Sequence, residues 1–309
     1  MAFRRRPDEG RRGAALILAL ALLAVMAVMG TYYVRYMNLE QEAADLALGE
    51  TRARLAAEAG VQATIGRLSA ALRANALKVA ITAPDRIEFP TYQLLRGERG
   101  LDLAPHQRRR AAADVAVFDE NARLNLNCAP APVIEAALGI APDVARRIVS
   151  AAAAGQFLEP EDLVARGLLS QEEFERLDRS LVTTYSAPDP KQAHSYLNVN
   201  TALPKVLAAA LGVTEEAARA AQDQGPYQSL DAFSQIAGKD VTGAASDATP
   251  LPARAFDCES RCFRVVSTGT FARVDDRGRE YGRAVARLDA VVLFEGPNQY
   301  DIIHWSSGS

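Results

Sequence analysis

The sequence predicts an α+β fold: a long N-terminal helix, membrane-spanning in its first part, packed on a small antiparallel sheet that is interrupted by a large all-helical insertion. Three observations carry that prediction. An uncharged apolar run near the N-terminus passes, without a proline, into a segment rich in Ala, Leu, Glu and Arg. A helical motif occurs twice in the middle of the chain, and the closing region shifts to the two-residue period of strands.

The 309 residues, 49% of them hydrophobic, suffice for one large or two modest domains with real cores. The net charge of -3 gives no reason to expect a nucleic-acid partner for the chain as a whole. Arg4, Arg5, Arg6, Arg11 and Arg12 crowd the start, immediately before the apolar run, which is a positive-inside signature. Residues 14–34 carry no charged side chain, and a helix of that length spans about 30 Å of hydrocarbon. The chain therefore reads as a single-pass protein of the cell inner membrane, with its N-terminus cytoplasmic and its body periplasmic. A cleaved secretory signal fits less well, because the run exceeds the usual length of about 7 to 15 residues and no A-x-A site follows it.

Beyond the membrane span the helix continues to about residue 80, since no proline occurs before Pro84. Leu39, Ala43, Leu46, Leu55, Ala59, Gln62, Ile65, Leu68 and Leu72 fall near three-to-four spacing and predict an amphipathic lower half lying against a folded head. Gly49, Gly60 and Gly66 read as weak points within it. The stretch 84–114, with Pro84, Pro90 and Pro105 and the basic cluster Arg108, Arg109 and Arg110, reads as loop with one short strand over 87–92, the cluster being a solvated face. Residues 114–127 read as two short strands around a turn.

The middle of the chain is duplicated. "LNLNCAPAPVIEAALGIAPDVAR" from Leu124 aligns without gaps to "LNVNTALPKVLAAALGVTEEAAR" from Leu197, with 11 of 23 residues identical. After a short slip "GQFLEPEDL" from Gly155 pairs with "GPYQSLDAF" from Gly225. Each copy reads as helix, tight turn, helix: Asn127 or Asn200 as N-cap, proline in the first turn, and Gly139 or Gly212 as C-cap. The repeats occupy 124–163 and 197–233 within a helical insertion over 123–240. The insertion splits a sheet formed by 81–122 and 255–300, whose second part holds two long strands joined by a turn. Cys258 and Cys262 stand four apart before a strand; in an exported body they either close a small disulfide loop or stay unpaired, and Cys128 is left over as a small buried residue.

The repeats resemble helix-hairpin-helix units, but Gly139-Ile140-Ala141 and Gly212-Val213-Thr214 lack the second glycine of the phosphate-gripping hairpin. Residues 121–240 also hold fifteen acidic against ten basic side chains, which would repel a phosphate backbone. These are read as packing modules, with no nucleic-acid partner. His106, His194 and His304 are isolated in sequence, and no hydrolase, metalloprotease or deaminase motif occurs, so no enzyme is expected. A calcium site is conceivable in acidic loops, for instance around Asp240 and Asp247 or Asp275 and Asp276, though no EF-hand spacing supports it and the plainer reading is a charged turn.

Taken together, the basic leader ending in Gly13, the apolar "AALILALALLAVMAVMG" from Ala14, the paired "NLNCAPAPV" and "NVNTALPKV" and the C-terminal strands resemble the minor pseudopilin K family of the type II secretion system, over nearly the whole chain. The resemblance implies a pilin-like sheet and cleavage by a prepilin peptidase between Gly13 and Ala14, which removes residues 1–13 as leader, followed by methylation of the new amine. It also implies a place at the pseudopilus tip beside minor pseudopilins I and J. The fifth mature position, Glu in most pilin-like proteins, is Leu18 here, as the family K pattern has it. The aspartate-rich stretch expected before the helical module, to which the family's calcium binding belongs, is missing. An alternative from another class is an uncleaved, membrane-anchored binding module that uses its helical repeats to hold a protein.

Overall fold

The computed structural model describes residues 9–74, 85–89, 109–185, 197–242, 249–251, 255–274, 277, 279–296 and 298–308. Helix α1 is continuous over Glu9–Arg73, 65 residues, or roughly 100 Å at 1.5 Å per residue. From Leu16 it is long and apolar enough to cross a membrane, with mean hydropathy 2.2 in its most apolar window and none of that window covered by protein. Its lower half buries Ala53, Ala56, Ala57, Val61, Thr64, Ile65 and Leu68. Ile65 and Leu68 lie on the inward face, as expected, but Leu39, Leu46 and Leu55 are exposed. Leu39 and Leu46 stand close to whole numbers of turns before Ala57, so they continue the line of the buried stripe toward the apolar segment but are left uncovered; Leu55, two residues from Ala57, points about 160° away.

The sheet beneath α1 has five strands in the order β1-β2-β7-β8-β9, every pairing antiparallel. They are β1 (Asp85–Phe89), β2 (Arg109–Asp119), β7 (Cys262–Val274), β8 (Glu280–Gly296) and β9 (Gln299–Gly308). Two expectations change. Two of the three clustered arginines do not stand in a loop: Arg109 and Arg110 begin β2, and Arg110 pairs with Glu280 at 3.4 Å, while Arg108 lies outside the described residues. The sheet also runs past residue 300, because "QYDIIHWSSG" forms a further edge strand. Residues 90–92 of the anticipated first strand lie outside the described residues.

α1 can lie on β7 because two glycines leave room. A Cβ on Gly269 would come within 2.0 Å of the Ala53 carbonyl oxygen and 2.4 Å of the Ala57 nitrogen. One on Gly60 would meet Ser267 Oγ at 2.5 Å and the Ala113 Cβ at 2.7 Å. Gly60, taken from the sequence as a weak point, is thus a contact surface. Backbone on backbone brings Val61, Ile65 and Leu68 down onto Phe263, Val265, Leu288, Ala290, Val292 and Phe294 as one core, each large apolar side chain contributing about 1.5–3 kcal/mol.

Between β2 and β7 the chain builds the insertion around its own core. The first repeat comprises β3 (Leu124–Asn125), α2 (Ala131–Leu138), α3 (Pro142–Ala154) and α4 (Asp162–Ala165). Then come α5 (Gln171–Arg176), closed by a capping box from Ser170 and Glu173, and β4 (Val182–Thr183), parallel to β3. The second repeat comprises β5 (Leu197–Asn198), α6 (Pro204–Leu211), α7 (Glu215–Asp223) and α8 (Leu230–Ala237), and β6 (Phe256–Asp257) pairs parallel to β5.

α1 fixes where the insertion stands. Asp45 of α1 pairs with Arg273 at 2.6 Å, and Ala53 and Ala57 touch Gly269, so β7 runs opposite to α1. The start of β7, where the insertion joins, is therefore the end of the sheet farthest from the apolar segment.

Gly269→Val should lower the stability of the head by about 1–3 kcal/mol or more through overpacking. Gly66→Ala, where an added Cβ meets nothing within 4 Å, should leave it unchanged or raise it by up to ~1 kcal/mol. Thermal melts of the full chain in detergent check both.

Candidate functional site

Among the described residues, the candidate sites are the bare surface of α1 and the polar joint that holds the insertion to the sheet. Gly13 and Ala14 both fall within α1, close to its start. Leu18 is 74% exposed and its apolar neighbours along the segment are exposed as well, so this stretch presents only an apolar surface.

The duplicated asparagines do work that the sequence reading assigned wrongly. Neither caps a helix: the residues before α2 and α6 are Pro130 and Leu203, without side-chain caps. Instead each asparagine clamps three separate pieces of chain. Asn127 Oδ1 accepts from the Phe157 N–H at 2.7 Å, while its Nδ2 donates to the Phe157 carbonyl at 3.0 Å and the Thr184 carbonyl at 3.2 Å. Asn200 Oδ1 accepts from the Tyr227 N–H at 2.7 Å, and its Nδ2 donates to the carbonyls of Tyr227 and Cys258, both at 2.9 Å. The first asparagine of each pair supports the second, since Asn125 Oδ1 and Asn198 Oδ1 accept from the N–H groups of Asn127 and Asn200, each at 2.9 Å. A side chain carrying both donor and acceptor is needed to grip an N–H and two carbonyls together. The repeats consequently extend to Thr184 and Cys258, whose surrounding sequences share no motif; only backbone carbonyls are recognised there, and these leave no trace in residue type. Gly139 and Gly212 are C-caps in the left-handed region, with φ of 69° and 67°, as expected.

The joint to the sheet centres on Asp119, buried at the end of β2. Its carboxylate accepts from Thr201 Oγ1 at 2.5 Å, from Ser260 Oγ and from the Asn121 N–H at 2.8 Å. Ser260 Oγ in turn accepts from Asn198 Nδ2 at 2.6 Å. Asn121 Oδ1 accepts from the N–H groups of Arg261 and Cys262 at 3.0 and 2.8 Å. Next to it, Glu120 is 1% exposed and pairs with Arg123 at 3.5 Å. Burial pushes both carboxyls above their ordinary range, against the hydroxyl bonds to Asp119 and the Arg123 charge beside Glu120.

Cys258 and Cys262 do not form the bridge the sequence allowed. Both are buried free thiols; Cys262 Sγ donates to the Tyr185 carbonyl at 3.5 Å, and the Cys258 carbonyl is engaged by Asn200. Burial raises the Cys258 thiol to about 11 and Cys262 well above its usual value, so neither is a ready thiolate. Cys128 forms no disulfide and is half-buried. Of the residues considered for calcium, Asp240 accepts from the N–H and Oγ1 of Thr242 in its own turn, while Asp247, Asp275 and Asp276 lie outside the described residues. Among the described residues no group of three or more His, Cys, Asp or Glu could hold a metal ion. A polar cleft where the insertion meets the sheet is lined by Glu159, Glu161, Arg179, Arg264 and His304. Three of its charges are already engaged, Arg264 gripping Asp289 through three bonds of 2.7–3.0 Å and Arg179 lying 3.8 Å from Glu161.

Asn127→Ala should destabilise the insertion by about 2–4 kcal/mol, the loss of a clamp that leaves buried backbone groups unpaired, and Asn200→Ala should do the same; chemical denaturation reads the effect. The raised carboxyls give a signed pH dependence. Their contribution to stability is fullest below the unfolded carboxyl range and is lost as pH rises through the folded values. Asp119→Asn should therefore gain on the wild type as pH rises from mildly acidic to neutral, a trend that paired melting curves will show or refute.

No family model matches the chain, and no curated protein matches it. Among solved structures, the crystal structure of the GspK–GspI–GspJ complex from the enterotoxigenic Escherichia coli type 2 secretion system contains a chain similar to this one, at 15% identity over 89% of this chain and 99% of that chain, with a TM-score of 0.45.

Proposed function

We propose that this chain is a structural subunit and not an enzyme: a minor pseudopilin that caps or nucleates the tip of a type II secretion pseudopilus, beside minor pseudopilins I and J. The observation that carries the reading is the placement of the insertion. One unbroken helix runs from a bare apolar segment to the antiparallel sheet, and the bulky repeats stand at the end of that sheet farthest from the apolar segment. A head that widens away from its stalk suits a terminal position and hinders stacking of a further subunit above it.

Leu18 supports the same reading. A carboxylate at membrane depth costs about 2.5–3.5 kcal/mol on insertion scales and is tolerated where it finds a partner. A leucine avoids that cost and offers no pairing to the amino terminus of a subunit ahead of it, as suits the first subunit of a filament. Processing at Gly13 by a prepilin peptidase on the cytoplasmic face belongs to the same proposal, the apolar helix remaining as anchor and later as packing element.

Mass spectrometry of the N-terminus, on protein extracted from membranes with and without an active prepilin peptidase, tests this directly. The expected product is a chain beginning at N-methylated Ala14 only when the peptidase is active. A chain that starts at Met1 in both strains would establish the uncleaved, anchored binding module instead.

A further inference from the structure

We propose that the outer edge of β9 takes up an extended strand from a different membrane-anchored chain, adding a sixth strand to the sheet; the inference rests on the tip-subunit reading above. Among the described residues no strand pairs with that edge, and β9 is ten residues long. Long open edges are normally blunted by lysine, proline or an inward charge. β9 has no lysine, arginine or proline, and Asp301 is its one charged residue. Tyr300, Ile302, Ile303 and Trp305 are instead 39–44% exposed.

The register shows which face is left bare. Tyr300, Ile302 and Trp305 lie opposite Phe294, Val292 and Ala290, three core residues under α1. The apolar row of β9 thus continues the core surface laterally, beyond the strands that α1 covers. An added strand would satisfy the open backbone edge and extend the same row, with apolar side chains at alternate positions.

A second copy of this chain does not fit. Antiparallel pairing of two β9 edges places a two-fold axis perpendicular to the sheet, which reverses α1 and sends one apolar segment away from the membrane. Parallel pairing keeps the helices co-directional but puts the two apolar rows on opposite faces of the joined sheet. The charges describe the partner further. The edge is acidic at the end far from the membrane, where Asp301 lies near Glu295, and basic toward the membrane, where Gly308 pairs with Arg287 and Arg283 follows, exposed. The incoming strand should carry basic residues far from the membrane and acidic residues near it.

Hydrogen exchange of the full chain in detergent, alone and co-purified with the I- and J-type subunits of its own system, tests the proposal. Backbone amides of residues 299–308 should slow by ~tenfold or more in the complex, and the exposed charge reversal Asp301→Lys should weaken the complex several-fold while leaving exchange in β7 and β8 of the free chain unchanged. A complex in which β9 amides exchange as in the free chain overturns the proposal, including the case of a helix laid over Ile302 and Trp305 that leaves the edge open. Protection of β9 by self-association of the free chain also overturns it. Failure to form any complex removes the tip-subunit reading, and this proposal with it.

Discussion

The approach of the α1 backbone to β7 at Gly269 is the constraint on which the rest of the molecule depends. With Ala53 and Ala57 seated directly on the strand and Gly60 on its neighbour β2, the helix lies low enough for Val61, Ile65 and Leu68 to reach the side chains of three strands. A larger residue at the contact would lift the helix and open a gap along the whole seam, and close-packed interiors tolerate such gaps poorly. One helix thus has two surfaces: its first half leaves leucine and methionine bare and is apolar enough to cross a membrane, while its second half substitutes glycine and alanine for reach.

The insertion is organised on a different principle. Its helices are short, two of them under seven residues, and such pieces are marginal without tertiary support. The support comes from apolar burial together with two asparagine clamps that each fasten a returning segment to the start of its repeat. At the joint, Asp119 collects hydroxyls from residues distant in sequence, Thr201 and Ser260, so the second repeat is tied to the end of β2 by a buried charge. The arrangement gains connectivity at the cost of desolvating a carboxylate.

Much of this was legible in the sequence. The helix, the duplicated module, the closing hairpin and the two glycine C-caps follow from hydrophobic period, internal identity and turn chemistry, because each is a local signal. What could not be read is non-local. The spacing of Leu39 and Leu46 marks the helix face correctly, yet spacing does not reveal how much of that face is covered. Asn127 and Asn200 each precede the cap position of a helix by three residues, and only the fold shows that their amides look across to Phe157 and Tyr227. β9 was hidden because nearly all of its residues are exposed, so neither face imposes an alternating pattern, and the proximity of Cys258 to Cys262 in sequence says nothing of the direction in which their side chains point.

The insertion leaves the sheet after Asp119 and re-enters at Cys262, and Asp119 and Phe263 are opposite one another on adjacent strands. Roughly 140 residues therefore hang from a single point on the sheet's rim. Axial force transmitted along α1 would pass into β2, β7 and β8 as shear across the helix–sheet seam, while the insertion, whose chain leaves and re-enters at neighbouring points and otherwise meets the sheet through contacts such as Tyr185 Oη with His304 at 3.2 Å, would carry little of it. Such a head can be pushed by its stalk without its repeats being strained, and its outer helices are mechanically free to change in sequence or in contact without weakening the column that supports them.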